Sequence, residues 1–267
     1  MMIYIDDKEC ACEKGEYIMH IAERNDIFIP RFCHHTGLPE QACCRVCIVE
    51  IETQAGGSRQ VVTSCVYPVE REIRVYTGSE KIKKQRAMVL ALLSARAPDS
   101  DRAAALIQVS GGEVPQRFIR LNGEKCILCG LCAKACNNLG AGAISTVGRG
   151  TAKKVSTPYE APSQTCVGCG SCAVVCPTGA IELTQDEDTR TIWDKTFTLL
   201  KCDSCGAIIG TPEEILLAEQ RLSAQDKSRP QTSEAQAAEA DTANPGKLCE
   251  TCRKKKIAGI FAATYGK

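Results

Sequence analysis

Histidine is scarce in this chain. There are three, His20, His34 and His35, all within the first 35 positions of 267. That shortage leaves little room for a Ser-His-Asp or Cys-His catalytic site. No G-x-G-x-x-G stretch follows a strand-like run, and no phosphate-binding G-x-x-x-x-G-K occurs. Neither a dinucleotide nor a nucleoside triphosphate therefore has a recognisable cradle. Aromatic residues are also few, five Phe, six Tyr and one Trp, so aromatic packing cannot supply much of a core. Net charge is only +1, which gives no electrostatic reason to expect nucleic acid as a partner. No apolar run approaches the roughly 20 residues of a membrane span. The start, Met1-Met2-Ile3-Tyr4-Ile5-Asp6-Asp7, has no basic segment ahead of an apolar one, so no secretory signal is expected.

What the chain has instead is cysteine, 19 residues of it. Disulfides would require an oxidising compartment. Without a secretory signal the expectation is a cytoplasmic protein whose reduced thiols bind metal, the metal sites replacing part of the missing hydrophobic core. Two runs carry the strongest pattern. Cys126, Cys129, Cys132 and Cys136 are spaced C-x2-C-x2-C-x3-C, and Cys166, Cys169, Cys172 and Cys176 repeat that spacing, with Pro177 following. Zinc takes its ligands in pairs. Runs of four in this spacing hold cubane clusters in bacterial ferredoxins, the fourth cysteine of each run reaching to the other cluster. On that rule Cys126, Cys129, Cys132 and Cys176 hold one 4Fe–4S cluster, and Cys166, Cys169, Cys172 and Cys136 hold the second.

A third set lies nearer the start. Cys33, Cys44, Cys47 and Cys65 place two cysteines in a C-x2-C loop, with one before and one after. That is the general arrangement for a 2Fe–2S cluster. Cys10 and Cys12 share one face of a strand and are expected in the core as small hydrophobes. At the far end, Cys202 and Cys205, then Cys249 and Cys252, form two C-x2-C knuckles. These are expected to hold zinc, with a third 4Fe–4S cluster as the alternative.

The expected architecture is α+β in four parts. Residues 1–78 form a small β domain in which Ile18, Met19, Ile21, Ala22 and Ile27 give one helix an apolar face that Pro30 stops. Residues 79–115 are a helical linker. Its first helix, Glu80 to Arg96, carries Ile82, Ala87, Met88, Leu90, Ala91 and Leu93, and Ser100 or Asp101 caps the next. Residues 116–186 form the two-cluster domain. Residues 187–267 are a C-terminal module with a helix from Thr211-Pro212 to about Leu222 and a mobile loop over 224–246. Arg253-Lys254-Lys255-Lys256 reads as a solvated basic face.

The runs Ile29-Pro30-Arg31-Phe32-Cys33-His34-His35 and Cys44-Arg45-Val46-Cys47-Ile48-Val49-Glu50, with Ser64-Cys65 ahead of Pro68, are similar to a known N-terminal ferredoxin domain. It is shared by the large iron–sulfur subunit of respiratory complex I, the diaphorase subunit of NAD-linked hydrogenases and the front of iron-only hydrogenases. The resemblance covers roughly residues 1–186 and implies a β-grasp fold for the first part. Cys43 breaks the family spacing and stands as an alternative ligand. His34 and His35 are expected to cover the cluster or tune it by hydrogen bonding. In the resembled families the linker often binds a further 4Fe–4S cluster through one histidine and three cysteines. Residues 79–125 contain neither residue type, so that cluster is not expected. Asn137 stands where many ferredoxins have proline.

Three one-electron carriers on one chain imply an electron relay, non-catalytic on its own. The resemblance implies a subunit of a hetero-oligomeric complex. It would pass electrons between a flavin/NAD(H) subunit and a second catalytic subunit, such as a hydrogenase or formate dehydrogenase. A free-standing multi-cluster ferredoxin and a redox-sensing structural subunit are the alternatives.

Overall fold

Ile3 and Ile5 are fully buried and alternate with the exposed Met2 and the half-buried Tyr4, the period-two pattern of a strand with one face on a core. In the computed structural model they lie on β1 (Met2–Ile5), which pairs antiparallel with β2 (Lys8–Ala11). Asp6 and Asp7, both with left-handed φ, make the two-residue turn between them. The structure describes residues 1–53, 56–109, 120–121, 123–228 and 248–256. The chain divides into two units, each treated by itself. The first takes in described residues of Met1–Asn138, Thr146–Val155 and Cys172–Ile181. The second takes in Leu139–Ser145, Ser156–Ser171 and the described residues from Glu182 onward.

In the first unit α1 (Ile18–Arg24) buries Ile18, Met19, Ile21 and Ala22. They pack with Ile3, Ile5, Val49, Ile51 and Val75 from the sheet. The sheet adds β3 (Ile48–Glu52), β4 (Gln60–Thr63) and β5 (Arg74–Tyr76) in the order β2-β1-β5-β3-β4, with β1 parallel to β5 and the other neighbours antiparallel. Cys10 and Cys12 are buried in this core, as their strand face predicts, and burial pushes both thiols up. The first helix stops at Arg24, well before Pro30. The Asn25 side chain bonds the Ile21 carbonyl and Asp26 turns left-handed, so the local cap ends the helix and Ile27 lies beyond it.

The linker helix α2 (Glu80–Arg96) begins where the Ser79 hydroxyl accepts the Ile82 N–H, and it has the expected bounds. Its buried stripe is Ile82, Arg86, Leu90, Ala91 and Ala95, whereas Met88 is exposed. Ser100 caps α3 (Asp101–Val109) by accepting the Ala103 N–H. Helix α4 (Leu131–Asn138) then carries Cys132 and Cys136 one turn apart. After it come the ribbon strands β6 (Ser145–Val147) and β7 (Lys154–Ser156) and the short α5 (Ser171–Val174).

The second unit holds an antiparallel sheet of β8 (Leu183–Gln185), β9 (Thr189–Ile192) and β10 (Lys195–Thr198), followed by the pair β11 (Leu200–Lys201) and β12 (Ile208–Gly210). Helix α6 (Pro212–Ser228) starts as its sequence predicts, the Thr211 hydroxyl accepting the Glu214 N–H. It runs past Leu222 to Ser228, because Ser223 to Lys227 contain no glycine or proline to break it. The expected mobile loop thus begins inside a helix, and its part from residue 229 to 246 lies outside the described residues.

Candidate metal centres

Cys33, Cys44, Cys47 and Cys65 are all buried in the first unit. They meet in two pairs. The Cys44 N–H donates to the Cys33 sulfur at 3.3 Å, and the Cys47 and Cys65 sulfurs lie 3.5 Å apart. Ala42 and Arg45, both left-handed, bracket Cys43-Cys44 and turn the loop tightly. Such residues cost about 1–3 kcal/mol each and persist only where their surroundings hold them. A hydrogen bond from the Cys65 thiol, with N–H and hydroxyl donors of Cys65 and Ser64, brings Cys47 down to about 6. The partner thiols go the other way. Hydrogen bonding to Cys33 and burial raise Cys44, and hydrogen bonding to Cys47 and burial raise Cys65. Left with protons, the four cannot all ionise; bound to a cation they can. Four buried sulfurs in two close pairs, two for each iron, fit a 2Fe–2S cluster by their chemistry.

Cys43 bridges from this set to a second loop. Its thiol donates to the Cys129 carbonyl at 2.9 Å and also hydrogen-bonds Cys33, which raises Cys33. The histidines bond carboxylates. His34 Nδ1 lies 2.9 Å from Glu40, whose other oxygen is 3.1 Å from His20 Nε2, and Arg31 and His34 both face Glu23. These contacts pin the loop after Cys33 to α1. His20, His34 and Glu40 are close enough to share a cation, but their hydrogen bonds to one another already account for the grouping.

Cys126, Cys129, Cys132 and Cys176 also belong to the first unit. Leu128 and Gly130 are left-handed and curl the loop, and the Leu128 N–H points at the Cys126 sulfur at 3.4 Å. The Ala180 N–H does the same for Cys176 at 3.3 Å. Burial pushes Cys129 and Cys132 up to about 12 and raises Cys126 as well; the charge of Cys176 acts on all three. The cysteine remote in sequence is thus their neighbour in space. Two loops of this unit touch. Besides the contact from Cys43 to Cys129, Lys134 on α4 donates to the carbonyls of Pro39 and Glu40 at 3.0 and 3.2 Å. Phe32, Cys33, Cys44, Val46, Cys129 and Leu131 share one apolar cluster.

Of the other expected cubane set, Cys136 and Cys172 lie in the first unit, Cys166 and Cys169 in the second. In the second unit the loop from Cys166 to Gly170 rests on the sheet. Lys195 donates to the Cys166 carbonyl at 2.8 Å, Arg190 to that of Gly168 at 2.8 Å and Thr211 to that of Val167 at 2.5 Å. Gly168 and Gly170 are left-handed, and a Cβ on either would lie 2.7 Å from the Phe197 ring or 2.8 Å from Leu183. No spacing rule signals Lys134, Arg190 or Lys195, which read as solvated cations.

The knuckle cysteines also come together in the second unit. Cys202, Cys205, Cys249 and Cys252 place their sulfurs within 4.8 Å of one another, with Cys205 and Cys249 at 3.6 Å. The Cys249 N–H donates to the Cys202 sulfur at 3.3 Å, and this bond, with the N–H groups of Ser204 and Cys205, brings Cys202 down to about 6. Residues 250–256 are helical, and their basic side chains are exposed.

Residues 1–80 match the family described as 2Fe-2S iron-sulfur cluster binding domain. Residues 119–183 match a 4Fe-4S dicluster domain, and residues 165–208 match a second family of that description. A subunit of an NADH-quinone oxidoreductase of Rhizobium meliloti is 30% identical over 230 residues, covering 76% of this chain and 26% of that protein. The NADP-reducing hydrogenase subunit HndD of Solidesulfovibrio fructosivorans is 31% identical, covering 68% of this chain and 36% of its own length. This chain resembles the iron–sulfur subunits of NAD(P)H-linked oxidoreductases. It spans only about a quarter to a third of the curated relatives it matches. A crystal structure of an NAD+-reducing [NiFe]-hydrogenase in the H2-reduced state superimposes with a TM-score of 0.56 at 22% identity, over 67% of this chain and 85% of that one, a likeness of fold. Among the described residues no helix is long and apolar enough to cross a membrane.

Proposed function

We propose that this chain is an electron-relay subunit of a cytoplasmic, hetero-oligomeric oxidoreductase. It passes single electrons between a flavin/NAD(H) subunit and a second redox catalytic subunit. The observation that carries the reading is the direct contact between two ligand loops in the first unit. Cys43 lies between Cys33 and the Cys129 carbonyl, and Lys134 ties α4 to Pro39 and Glu40. Cys33, Cys44, Cys47 and Cys65 would be the 2Fe–2S ligands. Cys126, Cys129, Cys132 and Cys176 hold the first 4Fe–4S cluster, and Cys136, Cys166, Cys169 and Cys172 the second. When bound, each cluster takes up and gives back one electron. The chain's own part is to bury the sulfurs, aim N–H groups at them and hold neighbouring loops at fixed separation. The sheet order and the helix packed on it support a β-grasp for the first part.

Cys202, Cys205, Cys249 and Cys252 hold a structural zinc ion in this reading. With zinc–sulfur bonds of about 2.3 Å, tetrahedral ligands sit about 3.8 Å apart. The 3.6 Å between Cys205 and Cys249 suits one small ion better than a cubane. The second dicluster match runs through Cys202 and Cys205, which favours a third 4Fe–4S cluster as the second reading.

The test is a native, anaerobic pull-down with mass spectrometry, coupled to metal analysis. Recovery with a flavin subunit and a second catalytic subunit, about ten irons and one zinc per chain, is the expected result. Recovery of the bare chain with its clusters intact would replace the relay subunit by a diffusing ferredoxin. About fourteen irons without zinc would replace the zinc ion by a cluster.

A further inference from the structure

The guanidinium of Arg86 comes from α2, beyond the matched 2Fe–2S domain, and is buried beneath that domain's ligand loop with the residue only 7% exposed. Its Nε donates to the Val46 carbonyl at 3.0 Å, and its Nη2 donates to the carbonyls of Ile48 at 2.7 Å and Thr77 at 3.0 Å. Val46 and Ile48 are the two residues flanking Cys47. Among the described residues no carboxylate forms an ion pair with Arg86. Glu50 is engaged by Ser79 and Lys81, and Asp6 bonds Thr77. A buried cation held by carbonyls alone is costly unless negative charge lies close by. Burial pulls Arg86 below its ordinary range, while the Cys47 sulfur and then the Asp6 carboxylate act in the opposite direction. Even so, a guanidinium keeps its proton.

We propose that Arg86 is a positioning residue and fixed counter-charge for the 2Fe–2S cluster. It locks the backbone on both sides of Cys47 and raises the cluster's reduction potential. The inference rests on the reading that Cys33, Cys44, Cys47 and Cys65 hold that cluster. Four thiolates, two sulfides and two ferric ions carry two net negative charges. Reduction adds one electron and makes three, with no proton required. A cation close to Cys47 therefore stabilises the reduced form more than the oxidised one. A lysine would keep the charge but reach fewer of the three carbonyls, while glutamine would keep some hydrogen bonding and lose the charge.

The test is an EPR-monitored redox titration of the full-length, cluster-loaded chain as wild type, Arg86→Lys and Arg86→Gln, with the 4Fe–4S signals as internal reference. The expected result is a lower 2Fe–2S midpoint in Arg86→Gln, a smaller shift in Arg86→Lys and unchanged 4Fe–4S midpoints. Equal shifts in both variants, no shift, or shifts shared by all clusters would overturn the proposal. If Arg86→Gln loses the 2Fe–2S signal and Arg86→Lys keeps it, the counter-charge role stands. If both lose it, the site needs the guanidinium's shape rather than its charge and the proposal fails. A wild-type chain with no 2Fe–2S signal would instead remove the ligand assignment on which the proposal depends.

Discussion

Replacing Gly168 by alanine tests how the sheet of the second unit supports a ligand loop. Gly168 sits between Cys166 and Cys169 with φ +71, and an added Cβ would lie 2.7 Å from two ring carbons of Phe197. Two costs add. Holding alanine in a left-handed conformation costs about 1–2 kcal/mol. Overpacking against a ring that is only 2% exposed costs about 1–3 kcal/mol more. Gly206 supplies the control, since its φ is +72 and nothing lies within 4 Å of the Cβ that alanine would add there, so only the first cost applies. At about 4 °C per kcal/mol for a unit of this size, Gly168→Ala should melt about 4–12 °C below Gly206→Ala. The assay is anaerobic thermal unfolding followed by circular dichroism and by cluster absorbance, with iron counted beforehand. Phe197→Leu in the Gly168→Ala background should recover part of the loss, since the two residues touch. Equal melting of the two alanine variants, or no coupling to Phe197, would refute the steric reasoning.

The remaining predictions concern single groups. Cys43→Ser should keep the 2Fe–2S EPR signal and Cys44→Ser should lose or broaden it, because Cys43 spends its thiol on the Cys129 carbonyl. Cys202→Ser should lose the zinc, read by elemental analysis, while the iron content stays unchanged. On the zinc reading, the wild type should release zinc on acidification at a pH below about 6, the value to which the metal-free Cys202 thiol is lowered, since a bound cation keeps its sulfur ionised further down. The sign follows because a lowered thiol stays ionised and bound above that pH, and protons compete for it below. Ser79→Ala should cost about 1 kcal/mol of stability, read by thermal melting, through loss of the cap on α2.

The iron–sulfur domains were legible because metal chemistry is local. Three cysteines two residues apart can wrap one cluster on one loop, whatever the rest of the chain does. Caps were legible for the same reason, since Ser100 and Thr211 act on N–H groups three residues away, although the Ser79 cap of α2 was not read. The misreadings belong to effects that reach further or compete locally. Asn25 and Asp26 ended α1 before Pro30 could, and α6 kept going where composition suggested a loop. The apolar face read on α2 included Met88, yet the core took Arg86 and left Met88 exposed. Helical periodicity finds which residues share a face. It does not reveal that carbonyls from a loop forty positions away are waiting for a cation.

That last point extends to the sites as a whole. Cysteine spacing identifies which sulfurs can meet, but the residues that hold the ligand loops still are mostly cations far away in sequence: Arg86 under Cys47, Lys134 on Pro39 and Glu40, Lys195 on the Cys166 carbonyl and Arg190 on that of Gly168. A cluster with all-thiolate ligands is negative. Loops that turn their N–H groups toward the sulfurs turn carbonyls away from them, and those carbonyls need donors. Lysine and arginine meet both needs at once: they satisfy the outward carbonyls and place positive charge behind the ligand loop. The common chemistry explains why a chain with a net charge of only +1 commits several of its cations to its own backbone.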